Sequence, residues 1–171
     1  MTTVHAYTSS QSLVDGPHKH FRRGRAAAAN LVPTTTGAAD ATTRALPQYV
    51  GLFDGLAIRA PIVGSIADIT FVTSRKTTVE EVNDILTEES ETERYVSVLG
   101  VSPDRLVSSD IIGDPRALVV DLQLTKVIDG DLVKIMSWYD NEWGYANQMV
   151  REAAAISRGI NAASAHDLVR G

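Results

Sequence analysis

The run Thr125-Lys126-Val127-Ile128-Asp129-Gly130-Asp131-Leu132-Val133-Lys134-Ile135-Met136-Ser137-Trp138 decides what kind of fold this chain adopts. Two segments rich in β-branched and apolar residues, Thr125–Ile128 and Leu132–Trp138, flank Asp129-Gly130, a pair suited to the positive φ angles of a tight hairpin turn. Strands joined so closely must run antiparallel. Just downstream, a helix predicted over residues 143–157 places Met149, Ala153 and Ile156 on one face, the pattern of a helix docked on a sheet. Strands and helices do not alternate one for one along the chain. The expected fold class is therefore α+β, with a mixed, largely antiparallel sheet and helices packed on one face.

Outward from this stretch, strands are predicted at Met1–Tyr7, Leu56–Val63, Ile66–Thr73, Val96–Val101 and Ala117–Asp121, with Gly64-Ser65 turning the chain between the second and third. A helix over Ala38–Leu46 is expected behind the hydroxyls of Thr34-Thr35-Thr36-Gly37 and is closed by Pro47. Thr77 and Glu80 have capping-box spacing ahead of a helix over Val79–Glu89 that buries Val79, Val82 and Leu86. Thr8 to Pro33 is a long polar connection holding His18, Lys19, His20, Arg22, Arg23 and Arg25, with Ala26–Ala29 able to add a helical turn. A connection of that length is either a working loop or a solvated tether. The small and polar residues at the end predict one domain over residues 1–158 and a flexible tail over residues 159–171.

Composition excludes several classes of function. The 171 residues carry 21 acidic and 16 basic side chains, net −5, so there is no general positive charge to attract nucleic acid. No apolar run approaches the roughly 20 residues of a membrane helix, and Met1 is not followed by the basic and apolar regions of a signal peptide. A cytoplasmic protein with neither nucleic acid nor membrane as partner is expected. There is no cysteine, which removes disulfides, thiolate metal sites and thiol catalysis from within these residues. No metal site is expected. The Gly-x-Gly-x-x-Gly and Gly-x-x-x-x-Gly-Lys-Thr phosphate loops are also absent.

Groups suited to oxyanions are present: Thr8, Arg23, Arg25, Thr36, Gly37 at a helix start, and Arg59. Guanidinium forks and free amides at a helix N-terminus bind phosphate by charge-assisted hydrogen bonds. Spacing alone leaves this open, because Thr36-Gly37 also serves as a helix cap and Arg25 as a solvated surface charge.

Three segments carry a resemblance. Thr2-Thr3-Val4-His5-Ala6-Tyr7-Thr8, Pro33-Thr34-Thr35-Thr36-Gly37-Ala38-Ala39 and Ser137-Trp138-Tyr139-Asp140-Asn141-Glu142-Trp143-Gly144-Tyr145 are similar to signature segments of glyceraldehyde-3-phosphate dehydrogenases, in the same order. Arg59-Ala60-Pro61, Thr78–Asn83 and Val107–Asp110 resemble that family too, and the likeness extends over about Met1 to Ile156. It implies the C-terminal catalytic domain of that fold.

The resemblance assigns roles position by position. His5 matches the catalytic histidine that draws a proton from the reactive thiol; its bland alternative is a strand-end residue bonded to backbone. Thr8 and Arg59 match the site for the phosphate of the substrate, glyceraldehyde 3-phosphate. Thr36, the Gly37 amide and Arg23 match the site for inorganic phosphate, with Arg25 an equal candidate to Arg23. Asn141 matches the contact to the nicotinamide carboxamide and Tyr145 a ring beside the nicotinamide, with core packing the alternative for Tyr145 and the preferred reading of Trp138. The implied cofactor is NAD, favoured over NADP by Pro17 and bound mainly by a separate nucleotide-binding domain. The implied assembly is a homotetramer, with the Thr8–Pro33 loop at its centre.

The family's nucleophilic cysteine and its nucleotide-binding domain would precede Met1. Neither is found in these 171 residues, so the chain is expected to be inactive alone. The alternatives are a non-catalytic assembly or regulatory subunit and an erythrose-4-phosphate dehydrogenase relative. Ser10 stands where many bacterial members carry aspartate near the substrate phosphate.

Overall fold

The structure is a computed structural model that describes residues 1–168, with side chains described through Arg158. Eight strands among these residues form one sheet: β1 (Thr2–Ala6), β2 (Val32–Thr35), β3 (Leu56–Ala60), β4 (Ser65–Val72), β5 (Leu99–Ser102), β6 (Leu118–Asp121), β7 (Lys126–Ile128) and β8 (Leu132–Tyr139). Their order is β2-β3-β1-β4-β8-β6-β5, with β7 paired to β8. The β1–β3 and β5–β6 pairs are parallel and the other five antiparallel. Three helices complete it: α1 (Ala38–Ala45), α2 (Val79–Ser90) and α3 (Trp143–Leu168). This is the expected α+β class with a mixed, largely antiparallel sheet.

The Asp129-Gly130 hairpin forms as read, with φ of 49° and 76° at the two positions, joining β7 to β8 in the register Ile128–Leu132. The Gly64-Ser65 turn has a different consequence. β3 and β4 are not hairpin partners, because β1 inserts between them, parallel to β3 and antiparallel to β4. That insertion carries the first residues of the chain to the middle of the sheet.

Three local expectations need correction. Val32–Thr35 is a strand rather than the approach to a helix cap. Pro33 is tolerated there because β2 is an edge strand, paired only to β3. The cap of α2 is Thr78, whose hydroxyl accepts the Glu81 N–H at 3.2 Å, while Thr77 donates to the Glu81 carboxylate at 2.7 Å. The capping motif is thus shifted by one residue, and the Arg75 guanidinium and the Thr77 hydroxyl hold Glu81 down at a pKa of about 2. Val79, Val82 and Leu86 are half-buried.

The third correction concerns α3. Ala153 is exposed, and Met149 and Ile156 are 56% and 55% exposed, so this face does not dock on the chain's own sheet. Among the described residues, its anchors lie in the first turns. Gln148 donates to the Ser97 and Pro115 carbonyls, both at 3.0 Å, and Gly144 lies so close to the Arg116 carbonyl that a Cβ would stand 2.6 Å from it. The expected tail over residues 159–171 lies outside the residues whose side chains are described. No helix among the described residues is long and apolar enough to cross a membrane.

Thr8 to Leu31 is an ordered loop folded on itself rather than a tether. Gly16 N–H donates to Gly24 O at 2.9 Å, Ser12 N–H to Arg23 O at 3.0 Å and Ala27 N–H to Ser12 O at 2.9 Å. Gly24 is required at that crossing, since a Cβ would stand 2.5 Å from the Gly16 carbonyl. Ala26–Ala29 forms a turn, and Phe21–Gly24 a short 3-10 helix that aims Arg23 back toward β2.

Candidate active site

The site begins with strand register. β1 and β3 pair His5 with Arg59, and β2 pairs Val32 with Arg59 and Thr34 with Ala57. Side chains alternate along each strand, so His5, Arg59 and Thr34 share one face of the sheet. Ser65 opposite Tyr139, and Ala67 opposite both Thr3 and Ser137, continue that face across β4 and β8.

Arg59 is half-buried, and its Nη1 donates to the Ala6 carbonyl and to Thr8 Oγ1, both at 3.3 Å. Its Nε is buried with no partner among the described residues. Arg23 donates from Nε to Thr34 Oγ1 at 3.1 Å. Burial first, and then the positive charge of Arg23, push the Arg59 guanidinium below its ordinary pKa, although arginine still stays protonated. Neither arginine forms an ion pair with a carboxylate among the described residues. Two guanidiniums that repel each other, with donors unspent, are an arrangement that an oxyanion relieves.

Arg25 turns elsewhere. It pairs with Asp15 at 3.2 Å, and that carboxylate also accepts the Ala26 N–H at 2.8 Å. Of the two arginines, Arg23 is the one facing Thr34 and Arg59. Thr8 Oγ1 also lies 2.9 Å from Ser10 Oγ.

His5 is half-buried, and its Nδ1 lies 2.6 Å from the Ala6 carbonyl. A carbonyl only accepts, so Nδ1 carries the proton and Nε2 keeps the lone pair. Desolvation lowers the imidazole pKa, the Ala6 bond opposes this, and Arg59 adds to the lowering. The ring meets Tyr139 edge-on, with centroids 5.9 Å apart at 71°. The result is an oriented neutral imidazole able to accept a proton at Nε2.

Thr36 comes two residues after Thr34, and its hydroxyl accepts the Ala38 N–H at 3.1 Å, so it already serves α1. Gly37 is the N-cap itself, with φ −80° and ψ −1° and open space where a Cβ would be. No hydrogen bond joins these two residues to the Arg59 cluster among the described residues.

Asn141 lines an open cleft of about 690 Å³ together with Ala6, Thr8, Gly64 and Asp140. Its Oδ1 accepts from Ser65 Oγ at 3.0 Å, which leaves Nδ2 to donate elsewhere. Tyr145 is 67% exposed, so it is not packed in the core of the described residues. Trp138 is half-buried in the sheet, and its Nε1 donates to the buried Asp121 carboxylate at 3.1 Å, as its reading as a packing residue implied.

Three contributors escaped the sequence reading: Thr34, Tyr139 and Ser65. Small hydroxyls in strands carry no local signal. Alternation counted from His5 and Arg59 would have found Thr34 once β2 was known to pair with β3.

Comparison with known proteins gives a consistent result. The family model described as glyceraldehyde 3-phosphate dehydrogenase, C-terminal domain, matches residues 1–141. The chain is similar to glyceraldehyde-3-phosphate dehydrogenase 2 of Streptomyces avermitilis, 49% identical over 151 residues that make up 88% of this chain and 45% of that protein. It is also similar to the glyceraldehyde-3-phosphate dehydrogenases of Mycobacterium bovis, 47% identical over 94% of this chain and 47% of that protein, and Zymomonas mobilis, 43% identical over 92% and 47%. The chain thus spans a little under half the length of these relatives.

Proposed function

Since the chain belongs to the glyceraldehyde-3-phosphate dehydrogenase family, as its C-terminal domain, we propose that it is the catalytic half of an enzyme that oxidises glyceraldehyde 3-phosphate and phosphorylates the product to 1,3-bisphosphoglycerate. The observation that carries this reading is the neutral His5 at the strand end beside Arg59 and Arg23, two arginines with no carboxylate partner among the described residues. His5 Nε2 takes the proton of the attacking thiol and steadies charge during oxidation. Thr8 and Arg59 hold the substrate's own phosphate. Arg23, with Thr36 and the Gly37 amide, receives inorganic phosphate, which attacks the acyl carbon and releases the thiolate.

The cofactor fits the residues present, because Ser65 fixes the Asn141 carbonyl and leaves the amide nitrogen as a donor for a carboxamide oxygen. Bound NAD supplies the hydride acceptor, and Pro17 favours it over NADP. Tyr145 is the second residue assigned to that ring.

These 171 residues hold no cysteine, so the thiol must come from outside them. Incubated alone with glyceraldehyde 3-phosphate, NAD and phosphate, the chain is expected to make no NADH. Joined to the portion of the Streptomyces avermitilis relative that it does not cover, it should make NADH. Turnover by the chain alone would overturn the assignment of a thiol nucleophile, and a joined enzyme that folds but stays silent would overturn the catalytic role. An erythrose-4-phosphate dehydrogenase shares the machinery, and substrate competition in the joined enzyme separates the two.

One observation favours a second reading, in which the chain acts as a non-catalytic assembly or regulatory subunit. Trp143, Tyr145, Met149, Val150 and Ile156 leave the described part of α3 with a long apolar exposure. Self-association toward a cytoplasmic homotetramer is expected, read as elution well above the 18.4 kDa of one chain. Strictly monomeric elution at micromolar concentration contradicts it.

A further inference from the structure

The ladder between β1 and β4 ends at Val4 opposite Ile66, yet Ala6, two residues on, is buried and its N–H still needs an acceptor. Ser65 Oγ supplies it at 3.1 Å. Ser65 is 0% exposed and is delivered there by Gly64, whose φ of +69° turns the chain where a Cβ would stand 2.3 Å from the Ser108 carbonyl.

Bond direction follows from donor chemistry. An amide N–H can only donate, so the Ser65 oxygen accepts from Ala6 and its proton is free for Asn141 Oδ1 at 3.0 Å. The opposite orientation of the Asn141 amide would aim two donors, the Ala6 N–H and Nδ2, at one serine oxygen and leave the serine proton only the Tyr139 hydroxyl as acceptor. The Tyr139 hydroxyl also faces Ser65 and Thr3. On its carbonyl, the same Ala6 accepts His5 Nδ1 at 2.6 Å and Arg59 Nη1 at 3.3 Å. One residue thus holds the base and the phosphate-binding arginine on its oxygen, and the cofactor-facing amide on its nitrogen through Ser65.

We propose that Ser65 is a positioning residue. Its hydroxyl fixes which way round the Asn141 amide faces and ties that orientation to the strand end carrying His5 and Arg59. A hydroxyl is needed because one atom must accept from Ala6 and donate to Asn141. The inference rests on the cofactor-contacting role given above to Asn141.

The test uses Ser65→Ala, Ser65→Thr, Asn141→Ala and the Ser65→Ala/Asn141→Ala pair. In the joined enzyme, Ser65→Ala is expected to raise the KM for NAD about tenfold, with Ser65→Thr restoring it and Asn141→Ala abolishing the difference. On the 171-residue chain, NMR should show the Asn141 side-chain NH2 pair ordered in the wild type and averaged in Ser65→Ala. An unchanged KM, an effect that persists in full without Asn141, or an equally ordered NH2 pair overturns the proposal. If Asn141→Ala itself leaves KM unchanged, the cofactor role of Asn141 fails, and the NMR measurement still decides whether Ser65 orients that amide.

Discussion

Replacing His5 by asparagine in the joined enzyme is expected to lower kcat by about 10²–10⁴-fold, the contribution typical of a positioned general base. Asparagine keeps much of the shape and can still donate to the Ala6 carbonyl, so the loss reports the missing lone pair at Nε2 and not a collapsed strand end. The pH dependence has a definite sign. Burial holds the folded-state pKa of His5 below its ordinary value of 6.5, so the stability tied to its neutral form is complete above that value. It is lost as pH falls through the lowered folded pKa. An NMR titration of the chain alone should therefore place the His5 midpoint below 6.5. A thiolate beside Nε2 would draw that midpoint upward, and His5→Asn should flatten the pH profile of kcat altogether. A variant with more than half the wild-type kcat would remove His5 from the mechanism.

The largest expected stability effect belongs to Asp140. Its carboxylate accepts the N–H groups of Gly113 at 2.9 Å, Glu142 at 3.0 Å and Trp143 at 2.8 Å, while its carbonyl takes Gly144 at 3.1 Å. It is the cap of α3 and the tie between that helix and the loop preceding β6 in one residue. Asp140→Ala forfeits a cap, about 0.5–2 kcal/mol, and strands the Gly113 amide, about 1–3 kcal/mol. Together these give a loss of roughly 1.5–5 kcal/mol in denaturant unfolding. Asparagine still caps helices well, so Asp140→Asn should lose much less. Burial raises the Asp140 pKa, but the three backbone donors outweigh it and the net shift is downward. Its stabilisation is therefore full above the ordinary carboxylate range and fades as pH falls through the lowered value, so wild type and Asp140→Ala should converge in acid.

Much of this architecture could be read directly, because its signals are local. Asp129-Gly130 announces a hairpin through the φ angles the turn demands, and both flanking strands formed close to their expected limits. What escaped depends on partners distant in sequence. Gly64-Ser65 looks like a hairpin turn from either side, and only the placement of β1 between β3 and β4 shows otherwise. Pro33 hides β2, since proline argues against a strand unless the strand is known to lie at an edge. Met149, Ala153 and Ile156 share a helical face, but periodicity says only that a face is apolar, not what covers it.

The candidate site divides along the same line. His5, Thr8, Arg59 and Asn141 belonged to recognisable motifs, and the structure gathers them around Ala6. Arg23 and Arg25, indistinguishable by sequence, part because the short helix over Phe21–Gly24 sends one toward Thr34 and leaves the other on Asp15. Ser65 and Tyr139 matter through the groups they touch across the sheet, which no single-strand pattern encodes.

Thermal unfolding of the 171-residue chain against rising phosphate tests, without any partner domain, the proposal that Arg59 and Arg23 hold oxyanions beside His5. Wild type should gain stability as RT ln(1 + [phosphate]/Kd) for each site filled, about 2.7 kcal/mol at a hundredfold excess over Kd, while the Arg23→Gln/Arg59→Gln pair should lose that dependence and keep only the general salt effect seen with chloride. Identical phosphate dependence in wild type and the Arg23→Gln/Arg59→Gln pair would contradict binding of an oxyanion there.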